Sequence, residues 1–311
     1  MNERQAAGSE ADADDPRAAE RGEGSPVVRV EDLRFTYPGA EAETLRGLDF
    51  EIRPAEVFGF LGPSGAGKST TQKVLVGLLD DYEGTVSVFG RDVRSWGGAY
   101  YERVGVSSEA PNTYLKLTGR ENLALFASLY EGETRDPEEL LELVGLTDAA
   151  DRRVSGYSKG MKMRLNFARS LLHDPDLLFL DEPTTGLDPS NARRIKDIVS
   201  DLQAGGTTVF VTTHDMAVAD ELCDRVAFIV DGDIAVIAPP EDLKRRYGSK
   251  RVRAEYVAED GTTRTTEFDP ENPADGDALA DLIRSGRYES LHTEEATLED
   301  VFIEVTGRGL R

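Results

Sequence analysis

Apolar and polar positions alternate from Val27 onward, with Val28, Val30, Leu33 and Phe35 on one side of an extended segment that stops at Tyr37-Pro38-Gly39. A second short strand is expected from Leu48 to Ile52. Val57-Phe58-Gly59-Phe60-Leu61 is apolar throughout, so it reads as a strand covered on both faces, and after a loop Thr71, Val74, Leu75 and Leu78 recur at helical spacing. From about residue 97 to about 172 the spacing turns helical, as in Leu123-Leu125-Phe126-Leu129 and Leu140-Leu141-Leu143-Val144, with a break at Asp136-Pro137. Buried-strand runs then return at Leu177–Leu180, Thr208–Thr212 and Val226–Val230, and a helix from Ser190 to Leu202 carries Ile195, Ile198, Val199 and Leu202 toward them. Beyond Pro239-Pro240 the pattern predicts strands at Arg251–Val257 and Thr263–Phe268 and helices at Asp277–Ile283 and Thr297–Val305. The expectation is a parallel-sheet α/β domain over 26–240 with a helical insertion near 97–172, followed by a small α+β domain over 241–311.

The loop between the first buried strand and its helix reads Gly62-Pro63-Ser64-Gly65-Ala66-Gly67-Lys68-Ser69-Thr70. Glycines at this spacing let backbone N–H groups converge on one anion, and the helix that follows aims its positive dipole end at the same place. Lys68 adds a charge that reaches terminal phosphates, and Ser69 a hydroxyl for phosphate-bound Mg²⁺. A nucleotide is the expected ligand.

Leu177-Leu178-Phe179-Leu180 ends in Asp181-Glu182, two carboxylates at the end of a buried strand where an α/β sheet places its ligands. Asp181 is placed to hold Mg²⁺ beside Ser69, and Glu182 to polarise a water for in-line attack on the γ-phosphate. His214 closes the neighbouring strand, within reach of that phosphate. Lys68, Glu182 and His214 are the expected catalytic group.

Composition narrows the surroundings. The formal charge is −23, with 59 acidic residues against 36 basic ones. An excess on that scale excludes a general nucleic-acid surface and resembles the solvated acidic surface of proteins from salt-loving organisms. The single cysteine, Cys223, excludes an intramolecular disulfide and any multi-cysteine metal site. The apolar runs fall short of the ~20 residues of a membrane helix. Met1 to Ser25 is polar, Ala-rich and acidic, and is expected to be a disordered tail.

These motifs, in this order, resemble the ATP-binding subunit of an ABC transporter, from Val27 to Gly307. The resemblance implies a P-loop NTPase of ABC type: a RecA-like parallel sheet core, an antiparallel β subdomain and an inserted helical subdomain. It implies that Tyr37 stacks on adenine, as an aromatic face suits a purine ring. Tyr157-Ser158-Lys159-Gly160-Met161 resembles the family signature, usually Leu-Ser-Gly-Gly-Gln, in Ser158 and Gly160 and departs from it in Tyr157, Lys159 and Met161. In the family this segment meets ATP bound on a second subunit. Asp188 in Thr185-Gly186-Leu187-Asp188-Pro189 matches the loop that crosses the subunit interface. Glu109 stands where the family carries a Gln; its carboxylate suits Mg²⁺ or the attacking water, and adds negative charge near the γ-phosphate. Lys116–Leu123, the signature variant and Thr297–Gly307 are similar to ABC-2-type exporters.

The implied partners are a second ATP-binding subunit, identical in the simplest case, and a separate membrane permease, with no nucleic acid. The implied ligands are ATP and Mg²⁺, and the implied location is peripheral, on the cytoplasmic face of the membrane. The competing class is a soluble ABC ATPase uncoupled from transport. The 90 positions from Lys68 to Ser158 leave no room for the long coiled coil of chromosome-associated relatives.

Overall fold

The computed structural model describes residues 25–248, 251–258, 261–270, 272–294, 296–307 and 309. The segment 1–25, expected to be a disordered tail, lies outside the described residues apart from Ser25.

Three sheets organise the chain. Strands β1 (Val28–Phe35) and β2 (Leu45–Ile52) pair antiparallel; β3 (Val57–Leu61) then starts the central sheet, and its loop feeds helix α1 (Lys68–Leu75). β4 (Glu83–Val88) and β5 (Arg91–Asp92) return to the first sheet, whose order is β2-β1-β4-β5. β6 (Val104–Ser107) belongs to the central sheet, and α2 (Gly119–Ala127), α3 (Pro137–Leu143) and α4 (Lys159–Ser170) follow it. The rest of the cassette is β7 (Leu177–Asp181), α5 (Pro189–Ala204), β8 (Thr208–Thr213), α6 (Met216–Leu222), β9 (Arg225–Val230), β10 (Asp233–Ala238) and α7 (Pro240–Tyr247). The central order is β10-β9-β3-β8-β7-β6, parallel except for β10. The last segment forms β11 (Arg251–Val257), β12 (Thr263–Phe268), α8 (Pro273–Ser285), β13 (Tyr288–Glu294) and α9 (Leu298–Thr306), with sheet order β12-β11-β13.

Side-chain alternation on β3 explains why its whole run is apolar. Phe58 and Phe60 face the antiparallel sheet, where they meet Phe50 at 5.8 and 5.5 Å and Phe210 at 6.4 and 5.6 Å between ring centroids. Val57 and Leu61 face the opposite core with the helices. Burial on both faces fixes this strand at the centre of the domain, and with it the loop at its C-terminal end.

Two expectations change. β6 lies inside the span read as helical and is an edge strand of the central sheet, so the inserted helices begin at Gly119. Four residues are too few for a period to emerge from Val104-Gly105-Val106-Ser107. The tail segment is also less separate than its composition suggests. Leu298, Val301 and Phe302 of α9 are buried in the core of the ATPase domain, and Phe302 meets Phe228 edge-on at 5.2 Å. Strand β13, absent from the sequence reading, pairs with β11 and completes the small sheet.

Candidate active site

The loop after β3 is held in shape by its glycines. A Cβ at Gly62 would lie 2.1 Å from the Ile229 carbonyl oxygen, so the backbones of β3 and β9 approach there only without a side chain. Gly67, the N-cap of α1, has φ 112°, a conformation that residues with a Cβ rarely adopt. From this position Lys68 folds back, its Nζ donating to the carbonyls of Gly62 at 2.6 Å and Pro63 at 3.0 Å. Burial lowers the Lys68 pKa, while the carboxylates of Glu182, Asp181 and Glu109 pull it back up.

One cavity of ≈ 410 Å³ gathers the expected nucleotide residues: Tyr37, Lys68, Ser69, Glu109, Asp181 and Glu182 line it, with Ser64, Gly65, Gly67 and Thr70 of the loop and with Thr44. Tyr37 is 36 % exposed; its ring edge packs on Phe35 at 4.8 Å, and its hydroxyl is 3.3 Å from Thr70 Oγ1. The ring therefore has a fixed mount and an accessible surface.

Parallel pairing of β7 with β8 brings the acids to the mouth of this cavity. Thr212 Oγ1 donates to Asp181 Oδ1 at 2.6 Å. Glu182 is buried and collects four hydrogen bonds: from Thr185 Oγ1 at 3.2 Å and Thr213 Oγ1 at 3.0 Å to Oε2, and from the His214 backbone N–H at 3.0 Å and ring Nδ1 at 2.6 Å to Oε1. Its backbone is left-handed, with φ 50°. The His214 side chain is 56 % exposed and rests on Glu182. Sequence reasoning treated the acid and the histidine separately; the structure couples them. It also missed Thr185, Thr212 and Thr213, although Thr212-Thr213 directly before His214 was a signal, since adjacent strand residues face opposite sides.

The donors gathered for a metal are oxygens: the Ser69 hydroxyl and the carboxylates of Asp181 and Glu109 share the cavity wall. Among the described residues no three His, Cys, Asp or Glu side chains form a cage. That set suits Mg²⁺, which keeps waters and phosphate oxygens and takes few protein ligands.

The signature residues stand apart from this cavity. Ser158 caps α4, accepting from the Met161 N–H at 3.2 Å, and Lys159 opens the helix. Gly160 packs on the loop before α5, where an added Cβ would meet Leu187 at 3.3 Å and the Gly186 carbonyl at 3.5 Å. Asp188 ends that loop as the N-cap of α5, and its hydrogen bonds to Asn191 hold its carboxyl below the ordinary Asp range. Ser158, Lys159, Gly160, Met161 and Asp188 thus form a second cluster, none of them lining the nucleotide cavity.

Comparison with known proteins decides the family. The ABC transporter model matches residues 45–185. A fluoroquinolones export ATP-binding protein of Mycobacterium tuberculosis is 56 % identical over 92 % of this chain and 95 % of its own. The chain belongs to the ABC transporter family, as an ATP-binding and ATP-hydrolysing subunit. A daunorubicin/doxorubicin resistance ATP-binding protein of Streptomyces peucetius is 38 % identical over 90 % of this chain and 92 % of that one. Among solved structures, an ATP-binding cassette in a dimeric post-hydrolysis state with ADP and Pi matches with a TM-score of 0.62 and 25 % identity, covering 68 % of this chain and 98 % of that one. Among the described residues no helix is long and apolar enough to cross a membrane.

Proposed function

We propose that two copies of this ABC ATPase close face to face around two ATP molecules and so drive a separate membrane permease that exports a drug-like compound. The observation that carries this reading is the separation of the two clusters. A phosphate loop and two acids share one cavity, with His214 bonded to the second acid, while Ser158 and the N-terminal N–H groups of α4 point to a phosphate that their own chain does not place there. A second copy supplies it, with Asp188 beside the crossing. The named export functions of the two relatives above support the direction and the cargo class.

In the hydrolytic step Tyr37 receives the adenine ring, the loop N–H groups hold the phosphates, and Lys68 trades its loop carbonyls for terminal phosphate oxygens. Ser69 and Asp181, with Glu109 beside them, are the residues that would hold Mg²⁺. When bound, that ion neutralises charge on the transferred phosphoryl group. Glu182 polarises the attacking water. A new O–P bond forms as the bond from the γ-phosphorus to the bridging oxygen of ADP breaks, and Glu182 takes the water's proton. Because Oε1 is filled by His214 in the present geometry, the exposed imidazole must swing toward the γ-phosphate before Oε1 accepts from water.

The helical insertion and the loop that leads into it supply a permease contact. Tyr114, Leu115, Leu125 and Leu129 are exposed apolar side chains, Tyr114 and Leu115 five and six positions beyond Glu109. A peripheral location on the cytoplasmic face of the membrane follows from that docking.

Glu182→Gln tests the assignment. Steady-state ATPase activity is expected to fall at least ~100-fold while ATP binding persists and an ATP-bound dimer accumulates in size-exclusion chromatography. Normal turnover in this variant would remove Glu182 from the role of base, and an ATP-saturated chain that stayed monomeric would count against closure.

A further inference from the structure

The two threonines that end β8 divide their attention between the two acids that end β7. Thr213 serves Glu182, and Thr212, paired in register with Asp181 and fully buried, serves Asp181. The Thr212 hydroxyl has three acceptors in reach: Asp181 Oδ1 at 2.6 Å, Gln72 Oε1 at 3.2 Å and the Leu180 carbonyl at 3.4 Å. It has one proton. The shortest contact, to a carboxylate, takes it. The contact with Gln72 is then satisfied with the amide turned so that its NH₂ group donates to Thr212 Oγ1, an orientation that fills the same space.

Gln72 lies in α1, one turn beyond Lys68 and Ser69, and only 6 % of it is exposed. An amide buried at that depth costs free energy unless it is bonded, and the hydroxyl of Thr212 answers it. We propose that Gln72 and Thr212 are positioning residues for the metal-side acid. The chain Gln72–Thr212–Asp181 fixes one oxygen of Asp181 and leaves Oδ2, which has no protein donor among the described residues, for the cavity. It also ties the end of β7 to the helix that carries Ser69, so the two residues that would hold Mg²⁺ move as one. The proposal rests on the reading of Asp181 and Ser69 as the pair that holds Mg²⁺.

The test uses the full chain and four variants: Thr212→Val, Gln72→Leu, Thr212→Ser and Asp181→Asn. Binding of a fluorescent ATP analogue is titrated with and without Mg²⁺, and the Mg²⁺ concentration for half-maximal binding enhancement is read beside the melting temperature of the nucleotide-free chain. Thr212→Val and Gln72→Leu are expected to raise that concentration about five- to tenfold, the loss of one buried hydrogen bond, with metal-free binding unchanged. Thr212→Ser keeps the hydroxyl and is expected to restore the parental value. If both apolar variants need no more Mg²⁺ than the parent while Asp181→Asn does, the positioning role is overturned and the reading of Asp181 stands. If Asp181→Asn leaves the Mg²⁺ requirement unchanged, that reading falls and takes the proposal with it. Should Thr212→Val fail to fold, Gln72→Leu, an apolar swap of similar size within a helix, carries the same comparison.

Discussion

Glu182 holds a backbone conformation that costs a residue with a side chain about 1–3 kcal/mol, and four hydrogen bonds with its own N–H donating to Thr212 O at 2.9 Å over-determine it. Strain held in this way keeps a carboxylate still at the end of a strand. Gly62 is fixed for the opposite reason, since a single methyl would meet a backbone oxygen. Gly62→Ala is therefore expected to abolish nucleotide binding in a fluorescence titration, because β3 or β9 must shift to admit it. Tyr37 makes a milder prediction. Tyr37→Ala is expected to weaken ATP binding about fivefold to tenfold through loss of the stacking face, whereas Tyr37→Phe keeps the ring and the affinity. Equal weakening in both would assign the effect to the Thr70 contact instead.

α9 shows how an element at the end of the chain joins the domain at its centre. A capping box starts it: the Thr297 hydroxyl accepts from the Asp300 N–H at 3.1 Å, and Asp300 accepts from the Thr297 N–H at 3.0 Å. Leu298, Val301 and Phe302 then fall on one face and enter the core. Phe302→Ala empties a fully buried site and is expected to cost about 3–5 kcal/mol in denaturant unfolding, with ATPase activity failing alongside. A loss confined to the C-terminal sheet would show that α9 folds apart from the cassette. The hydrogen bonds from Thr297 hold the Asp300 pKa below the ordinary 3.8. A depressed folded pKa contributes stability that is present above the unfolded value and lost as pH falls through the folded one. The contribution of this cap is thus complete at neutral pH and is lost as acid takes the solution below 3.8, so Asp300→Ala is expected to lower the melting temperature at pH 7 and to lower it progressively less as the pH falls below 3.8.

Across the whole molecule a charge of −23 repels itself, and the strength of that repulsion depends on salt. The Debye length falls from ~10 Å at ~0.1 M to ~3 Å at ~1 M, so the melting temperature is expected to climb between these concentrations of KCl. An equal climb with sucrose would trace the effect to solute exclusion rather than screening.

Much of this molecule was legible along the chain because its signals are local. Apolar runs named β3, β7, β8 and β9, and the phosphate loop, Asp181 and Glu182 declared themselves by their place at the C-terminal ends of two of those strands. Ser158 and Asp188, named from the family resemblance, are N-caps of α4 and α5 in the folded chain. Tertiary structure decided what depends on pairing across the chain: that the four-residue β6 joins the central sheet, that α9 belongs to the cassette core, and that Thr212 bridges Gln72 of α1 and Asp181 of β7. A periodicity records which face of an element is apolar, but not which other element will cover it or which hydroxyl will stand opposite a carboxylate. That is set by the register of parallel strands, and only the folded sheet supplies it.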